Sequence, residues 1–336
     1  MQINLAIDVM SGDLGPRSNL AGALLALIED PQLNLTLVGT SSQIKQLLNQ
    51  HHLSAEFAPR IKIQHSETTI GMAENPISAL RRYKTSSMHL AVQLVAQGHC
   101  QGAVSGGNTG ALMLVGRHYL GMLPGISRPA ICTAIPTYQQ PSYFLDLGAN
   151  TNCTAKQLVE FALMGNILVQ NLANKAKPKV GLLNVGEEAI KGTALVKATH
   201  ELLLEYRQLN YLGYVEGNQI FSGDYDLLVT DGFTGNLVLK TSEGLAKYLT
   251  DQVQNLFLTN NYSKLVGWLA KPLLKQLKQQ LDPVRYNGAS FLGLQKCLVK
   301  SHGNADAQGF AFAIARAAVE ARQELSQKLA AGLANP

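Results

Sequence analysis

Cysteine is rare and unpatterned in this chain. Cys100, Cys132, Cys153 and Cys297 are the only four, and no two form a CxxC pair. That scatter excludes a zinc knuckle or a disulfide framework and fits reduced, packed thiols. Charge is also scarce, at 15% of 336 residues, and aromatic residues make up only 6%. No dense Arg/Lys tract interleaved with aromatics occurs, so a nucleic-acid partner is not expected even though the net charge is +5. No uninterrupted apolar run approaches the roughly 18 residues a membrane-spanning helix needs. The opening "MQINLAIDVM" lacks a basic stretch ahead of a long apolar one, so no secretory signal is expected there. Several catalytic signatures are absent as well. No G-x-G-x-x-G follows the first strand, and there is no G-x-x-x-x-G-K-[ST], no G-x-S-x-G and no H-E-x-x-H. A dinucleotide fingerprint, a P-loop, a serine elbow and a zinc helix thus have no support, and neither a cofactor nor a metal is expected.

What is abundant is apolar residues, at 46%, enough for a sizeable core. They fall into short β-type runs, "INLAIDVM", "LNLTLVG", "GAVSGG", "SYFLDLG", "KVGLLNVG" and "YDLLVTDG", each ending in or running directly into Gly, Ser or Asp turn residues. Helical patterns lie between them: "NLAGALLALIED", "ISALRRYKTSSMHLAVQLVAQG", "TAKQLVEFALMGNILVQNLA" and "GTALVKATHELLLEYRQL". The alternation predicts a three-layer α/β/α fold on a mostly parallel sheet, as one domain over 1–336 or two closely joined lobes. No internal repeat or low-complexity linker interrupts it.

The turns after these strands hold the polar residues. In "AVSGGNTGALM", Ser105 ends a strand, Gly107 allows close backbone approach, and Asn108 and Thr109 stand where a helix begins; backbone amides there could hold an oxyanion. Further turns bring Asp146 and Asn150 ("LDLGANTN"), Lys191 ("LLNVGEEAIKG"), Asp231, Thr234 and Asn236 ("LVTDGFTGN"), and His302, Asn304 and Asp306 ("SHGNADAQGF"). Each has a plain structural alternative, such as helix capping for Asp231 or Asp306. As a set they are expected to converge at one sheet edge and form a cleft for an anionic substrate. One segment differs in character. Residues 252–281 hold no acidic residue, but carry Lys264, Lys271, Lys275, Lys278 and the single tryptophan, Trp268. The spacing predicts a helical hairpin over 247–285, either core-facing or projecting toward an anionic membrane or a partner through Leu265, Trp268, Lys271, Leu274, Lys275 and Lys278.

The run "AIDVMSGDLGP", "SGGNTGALM", "GISRPA", "FLDLGAN", "GLLNVGEEAIKG", "LVTDGFTGNLVLKTSEG" and "SHGNADAQGFAFAI" resembles the bacterial phosphate acyltransferases of the PlsX type along nearly the whole chain. Where that family typically reads D-A-M-G-G-D-H-A-P, this chain has Val9, Ser11, Leu14 and Gly15, which leaves Asp8 and Asp13 as candidates there. The resemblance implies a fold similar to isocitrate and isopropylmalate dehydrogenases and to phosphotransacetylases, with a helical hairpin at the tip. It implies transfer of a fatty acyl group from acyl carrier protein to inorganic phosphate, giving an acyl phosphate for phospholipid synthesis. A cytoplasmic homodimer is implied too, peripherally bound to an anionic membrane or to a downstream glycerol-3-phosphate acyltransferase. In such a reaction Ser105, Gly107, Asn108, Thr109, Asn150, Thr234 and Asn236 would hold phosphate or the oxyanion, and Lys191 would offset its charge. His302 would shuttle a proton, oriented by Asp231 or Asp306. The alternatives are a phosphotransacetylase-like enzyme using acyl-CoA, a dehydrogenase of related fold with Asp231 and Asp306 on a metal, and a non-catalytic membrane-surface scaffold of lipid synthesis.

Overall fold

The computed structural model describes residues 1–51, 57–281 and 283–334. Its strands are β1 (Ile3–Asp8), β2 (Leu33–Gly39), β3 (Ile61–His65), β4 (Gly102–Ser105), β5 (Ala130–Ile135), β6 (Ser142–Leu145), β7 (Lys179–Leu183), β8 (Asn210–Val215), β9 (Leu227–Val229), β10 (Ala289–Leu292) and β11 (Cys297–Lys300). They form one sheet in the order β3-β2-β1-β4-β11-β10-β5-β6-β9-β7-β8. Two sets of parallel strands make it up. β3, β2, β1, β4 and β11 run together, as do β6, β9, β7 and β8. Antiparallel pairings of β10 with β11 and β5, and of β5 with β6, join the sets. The second set therefore runs opposite to the first.

The helices are α1 (Gly15–Glu29), α2 (Ser41–Gln50), α3 (Pro76–Arg82), α4 (Ser87–Ala96), α5 (Thr109–Leu120), α6 (Ala155–Leu172), α7 (Ala194–Glu205), α8 (Gly232–Leu258), α9 (Asn261–Leu281), α10 (Ala307–Arg322) and α11 (Leu325–Ala334). They cover both faces of the sheet, because strand residues alternate sides. Leu5 and Ile7 pack with Leu20 and Leu27 of α1 and Ile314 of α10, whereas Ala6 and Ala103 face Val92 of α4 and Leu112 of α5. In the second set Leu145, Leu182 and Val229 pack with Phe161 of α6, Leu203 of α7 and Leu329 of α11. The apolar layer under α4 and α5 continues to Phe144, Leu228 and Val238 of α8, so the two lobes share one core.

The long helical pattern in 77–98 is two helices. Ser86 turns extended and accepts the His89 amide as the cap of α4, which stops α3 at Arg82. The first arm of the hairpin belongs to a longer helix than the sequence pattern marked. α8 begins at the "TDG" turn, where Asp231 accepts the Thr234 amide at 2.9 Å, and runs unbroken for 27 residues. α9 returns against it, with Gly267 over the Phe257 ring. The hairpin faces solvent with Leu265, Trp268, Leu269 and Leu273, and Lys271 is exposed and Leu274 half-buried. The side chains of Lys275 and Lys278 lie outside the described residues.

Candidate active site

Three parallel strands end side by side, with Asp8 of β1 and Lys300 of β11 both in register with Ser105 of β4. Asp8 is fully buried. Its Oδ2 accepts the Ser105 hydroxyl at 2.7 Å, and Ser87 and Ser11 also lie against its carboxyl. Burial raises the Asp8 pKa, and these hydroxyls oppose the rise. The same hydroxyls hold the bare turn above: Gly107 donates its amide to Ser105 Oγ at 3.1 Å and Gly106 to Ser11 Oγ at 3.0 Å. Asn108 caps α5 by accepting the Ala111 amide at 3.0 Å, and its Nδ2 donates to the carbonyls of Met72 and Glu74. The turn is thus held from below and from one side.

Lys300 is 8% exposed. Its ammonium donates to the Gly106 carbonyl at 3.2 Å and to the Ser301 carbonyl. Its pKa is lowered to about 8, chiefly by desolvation and also by the Lys240 charge, with Asp13 and Asp8 opposing the fall. The adjoining loops close over it. The Asp13 amide donates to the Gly303 carbonyl at 2.7 Å, and Gly12, at φ +87°, leaves the space where a Cβ would stand 2.9 Å from that oxygen. On the rim, His302 Nε2 is 2.9 Å from Lys240 Nζ, while Lys240 also pairs with Glu243 at 2.7 Å. His302 Nδ1 accepts the Asn304 amide at 3.3 Å. Burial first, and then the positive charge of Lys240, lower the His302 pKa. The result is a buried acid, a buried amine, and an imidazole–amine pair within one loop cluster.

The remaining turns do not join this cluster directly. β6, β9 and β7 run opposite to β4 and β11, so the turns carrying Asp146, Asp231 and Lys191 leave the sheet at its other edge. This corrects the expectation of a single convergent edge; the three successive antiparallel joints, β11 to β10, β10 to β5 and β5 to β6, cause it. At that other edge Asp146 accepts the amides of Ile131, Ala149 and Asn150. Asn150 is buried, with its Nδ2 engaged by Pro129 O and Asp146. Its carbonyl accepts the first amide of α8, from Gly232. Thr234 is bonded to Asp231, and Asn236 lies under Gly148. α8 links the two edges, since Lys240 stands eight residues along from Gly232, about 12 Å.

A family model described as fatty acid synthesis protein matches residues 3–328. The chain belongs to that family. A phosphate acyltransferase from Pseudomonas syringae pv. syringae (strain B728a) is 49% identical over 325 residues, covering 97% of this chain and 95% of that one. Two solved structures share the fold. A phosphotransacetylase from Streptococcus pyogenes has a TM-score of 0.63 at 16% identity, covering 96% of this chain and 94% of its own. A branched-chain phosphotransacylase from Enterococcus faecalis V583 has a TM-score of 0.58 at 15% identity, covering 95% and 99%.

In this family member the structure brings the turn of Ser105, Gly106 and Gly107 beside the His302 backbone, through Gly106 and the hydrogen bond between Ser301 and Ser105, with Asn108 and Thr109 following at the start of α5. It keeps Asn150, Thr234 and Asn236 at the foot of α8. Lys191 is exposed on the β7–α7 loop. Asp231 and Asp306 each cap a helix, α8 and α10, at opposite edges of the sheet. Sequence alone does not single out Lys300, Lys240 or Glu243, although Lys240 and Glu243 lie in "LVLKTSEG" and a lysine closing the short apolar run "CLVK" is a signal of its own.

Proposed function

We propose that this chain moves a fatty acyl group from the thioester of acyl carrier protein to inorganic phosphate. The family match and the phosphate acyltransferase relative support the reaction. The single observation that carries the site assignment is the buried Lys300 ammonium at the ends of β1, β4 and β11, beside the neutral His302 and Lys240. Two amines in one loop cluster suit a dianion, and the bare "SGGN" turn lets it approach the backbone.

Phosphate is itself the nucleophile, so no serine or cysteine nucleophile is required. Lys300 and Lys240 hold hydrogen phosphate next to the thioester. His302, kept neutral, accepts its proton as a phosphate oxygen adds to the acyl carbonyl. Unpartnered amides in the first turn of α5 stabilise the oxyanion of the tetrahedral intermediate. Collapse breaks the carbon–sulfur bond, and His302 returns the proton to the leaving thiolate. The products are acyl phosphate and free carrier thiol, so atoms and charge balance. Asp8 positions the turn and supports the Lys300 charge. Thr234 and Asn236, at the foot of α8, would meet the more remote part of the substrate, and Lys191 would act only from the outer loop.

No helix among the described residues is long and apolar enough to cross a membrane. The hairpin tip supports peripheral contact, since Leu265, Trp268, Leu269 and Leu273 are all more than half exposed. A homodimer and contact with a downstream acyltransferase enter the proposal from the family resemblance. The deciding experiment incubates long-chain acyl carrier protein with the protein, with and without phosphate, and traps acyl phosphate with hydroxylamine. Phosphate-dependent acyl hydroxamate is expected; carrier release without it, or no release at any phosphate concentration, would overturn the reading.

A further inference from the structure

Residues 75–145 contain no Asp or Glu, but include Arg81, Arg82, Lys84, Arg117 and Arg128. The fold gathers most of these cations onto one face. Pro76, which opens α3, lies against Gly110 near the start of α5. Farther along, His89 of α4 ties the two helices together, with Nε2 on the Ala79 carbonyl at 3.2 Å and Nδ1 on the Tyr119 hydroxyl at 3.3 Å. α3 and α5 thus run side by side. The last turn of α3 holds Arg81 and Arg82, and the last turn of α5 holds Arg117 and His118. Lys84 and His118 both lie close enough to His89 to act on it electrostatically, adding to the larger effect of its burial.

Arg81, Arg82, Lys84, Arg117 and His118 are all exposed, and none takes part in an ion pair among the described residues. Glu74, ahead of α3, accepts the Tyr83 hydroxyl at 3.3 Å. Helix C-termini favour a cation or two through their dipoles. That preference does not account for Lys84, which lies beyond the helix, or for the lack of any carboxylate across this stretch. Ile77, 57% exposed, adds an apolar contact one turn ahead of Arg81. The hairpin differs: its exposed surface is dominated by large apolar side chains, which suits lipid.

We propose that the end face formed by Arg81, Arg82, Lys84, Arg117 and His118 docks the acidic carrier protein that delivers the acyl thioester. The proposal rests on the acyl-carrier reading above. From Arg117 back to Thr109, at the active-site end of α5, is about 12 Å. A flexible prosthetic arm crosses that distance while the folded carrier stays outside. Positive charge at the outer end steers an acidic partner and sets its register without intruding on the phosphate site.

The test is charge reversal. Arg81→Glu combined with Arg82→Glu should raise the KM for acyl carrier protein about tenfold or more and flatten its salt dependence. The kcat, the KM for phosphate and turnover of a carrier-free acyl-pantetheine should stay unchanged, with an unaltered melting temperature. Arg117→Glu alone should give a smaller rise of the same kind. Unchanged KM in both variants overturns the proposal, as does a rise found only on reversing the hairpin lysines Lys264 and Lys271. Loss of binding to phosphatidylglycerol vesicles with KM intact also overturns it and assigns the face to lipid. If the unaltered protein forms no acyl phosphate, the transferase reading fails. Titration calorimetry of unacylated carrier protein against the unaltered protein and the double variant then decides docking separately: weaker binding by the variant supports it and equal binding overturns it.

Discussion

Burial weakens the charge on Lys300, and on the proposed site assignment that should set the alkaline side of the pH profile. With its pKa at about 8, kcat/KM for phosphate should fall as pH rises through that value, since this parameter reports the free enzyme. Lys300→Arg should move the limb upward, and Lys300→Met should lower kcat/KM about a hundredfold at pH 7. A pH profile of initial rates distinguishes these outcomes. Asp8 gives a prediction of opposite character. Its carboxyl pKa is raised in the fold, so the stability it contributes is fully present below the ordinary carboxylate value and is lost as pH rises through the raised one. At pH 8 Asp8→Asn should therefore melt about 2–3 °C above the unaltered protein, and the gap should close on acidification. The same change removes a charge that supports Lys300, so the alkaline limb should shift below 8. Asp8 stands out in its motif as a candidate without a defined role, and Lys300 does not stand out at all. A lysine at a strand end reads as a surface residue until the Gly106 and Ser301 carbonyls are brought to it from chain segments far apart. Ser105 and Asn108 were legible because a turn without bulk or charge is itself a local signal.

Among the elements, α8 is seated by close backbone contact. A Cβ on Gly235 would stand 2.0 Å from the Asp146 carbonyl oxygen, so Gly235→Ala should cost about 3 kcal/mol or more in a denaturant titration. Gly244, on the same helix, is exposed with nothing near its missing Cβ, and Gly244→Ala should stabilise by about 0.5–1 kcal/mol. At the tip, Leu265→Ser with Trp268→Ser should abolish flotation with anionic vesicles, leaving acyl transfer and melting temperature in place. The elements that the sequence revealed are those long enough to show a period, such as α1, α6 and β2. β10 and β11 are four residues each, too short for alternation to register. The Tyr83–Ser86 break between α3 and α4 was hidden because the apolar residues on either side stay in helical phase.

For the whole molecule, a net charge of +5 and an acidic partner imply that kcat/KM for acyl carrier protein falls as salt is raised from low to physiological levels, by stopped-flow or initial rate. The α/β class was legible from alternating runs, but the sheet's change of direction was not. It depends on β10, a strand the sequence does not announce, entering between β11 and β5. That order has a bearing on biosynthesis. β11 lies inside the first lobe, between β4 and β10, while α10 packs across α1, so the N-terminal lobe is completed only after strands β5 to β9 of the second set have been made. Until then β4 presents an open edge able to pair with other chains, and the site lacks both Lys300 and His302. On the proposed site assignment the nascent chain should be catalytically silent until α10 has been made, and its exposed β4 edge should be open to mispairing for the same interval.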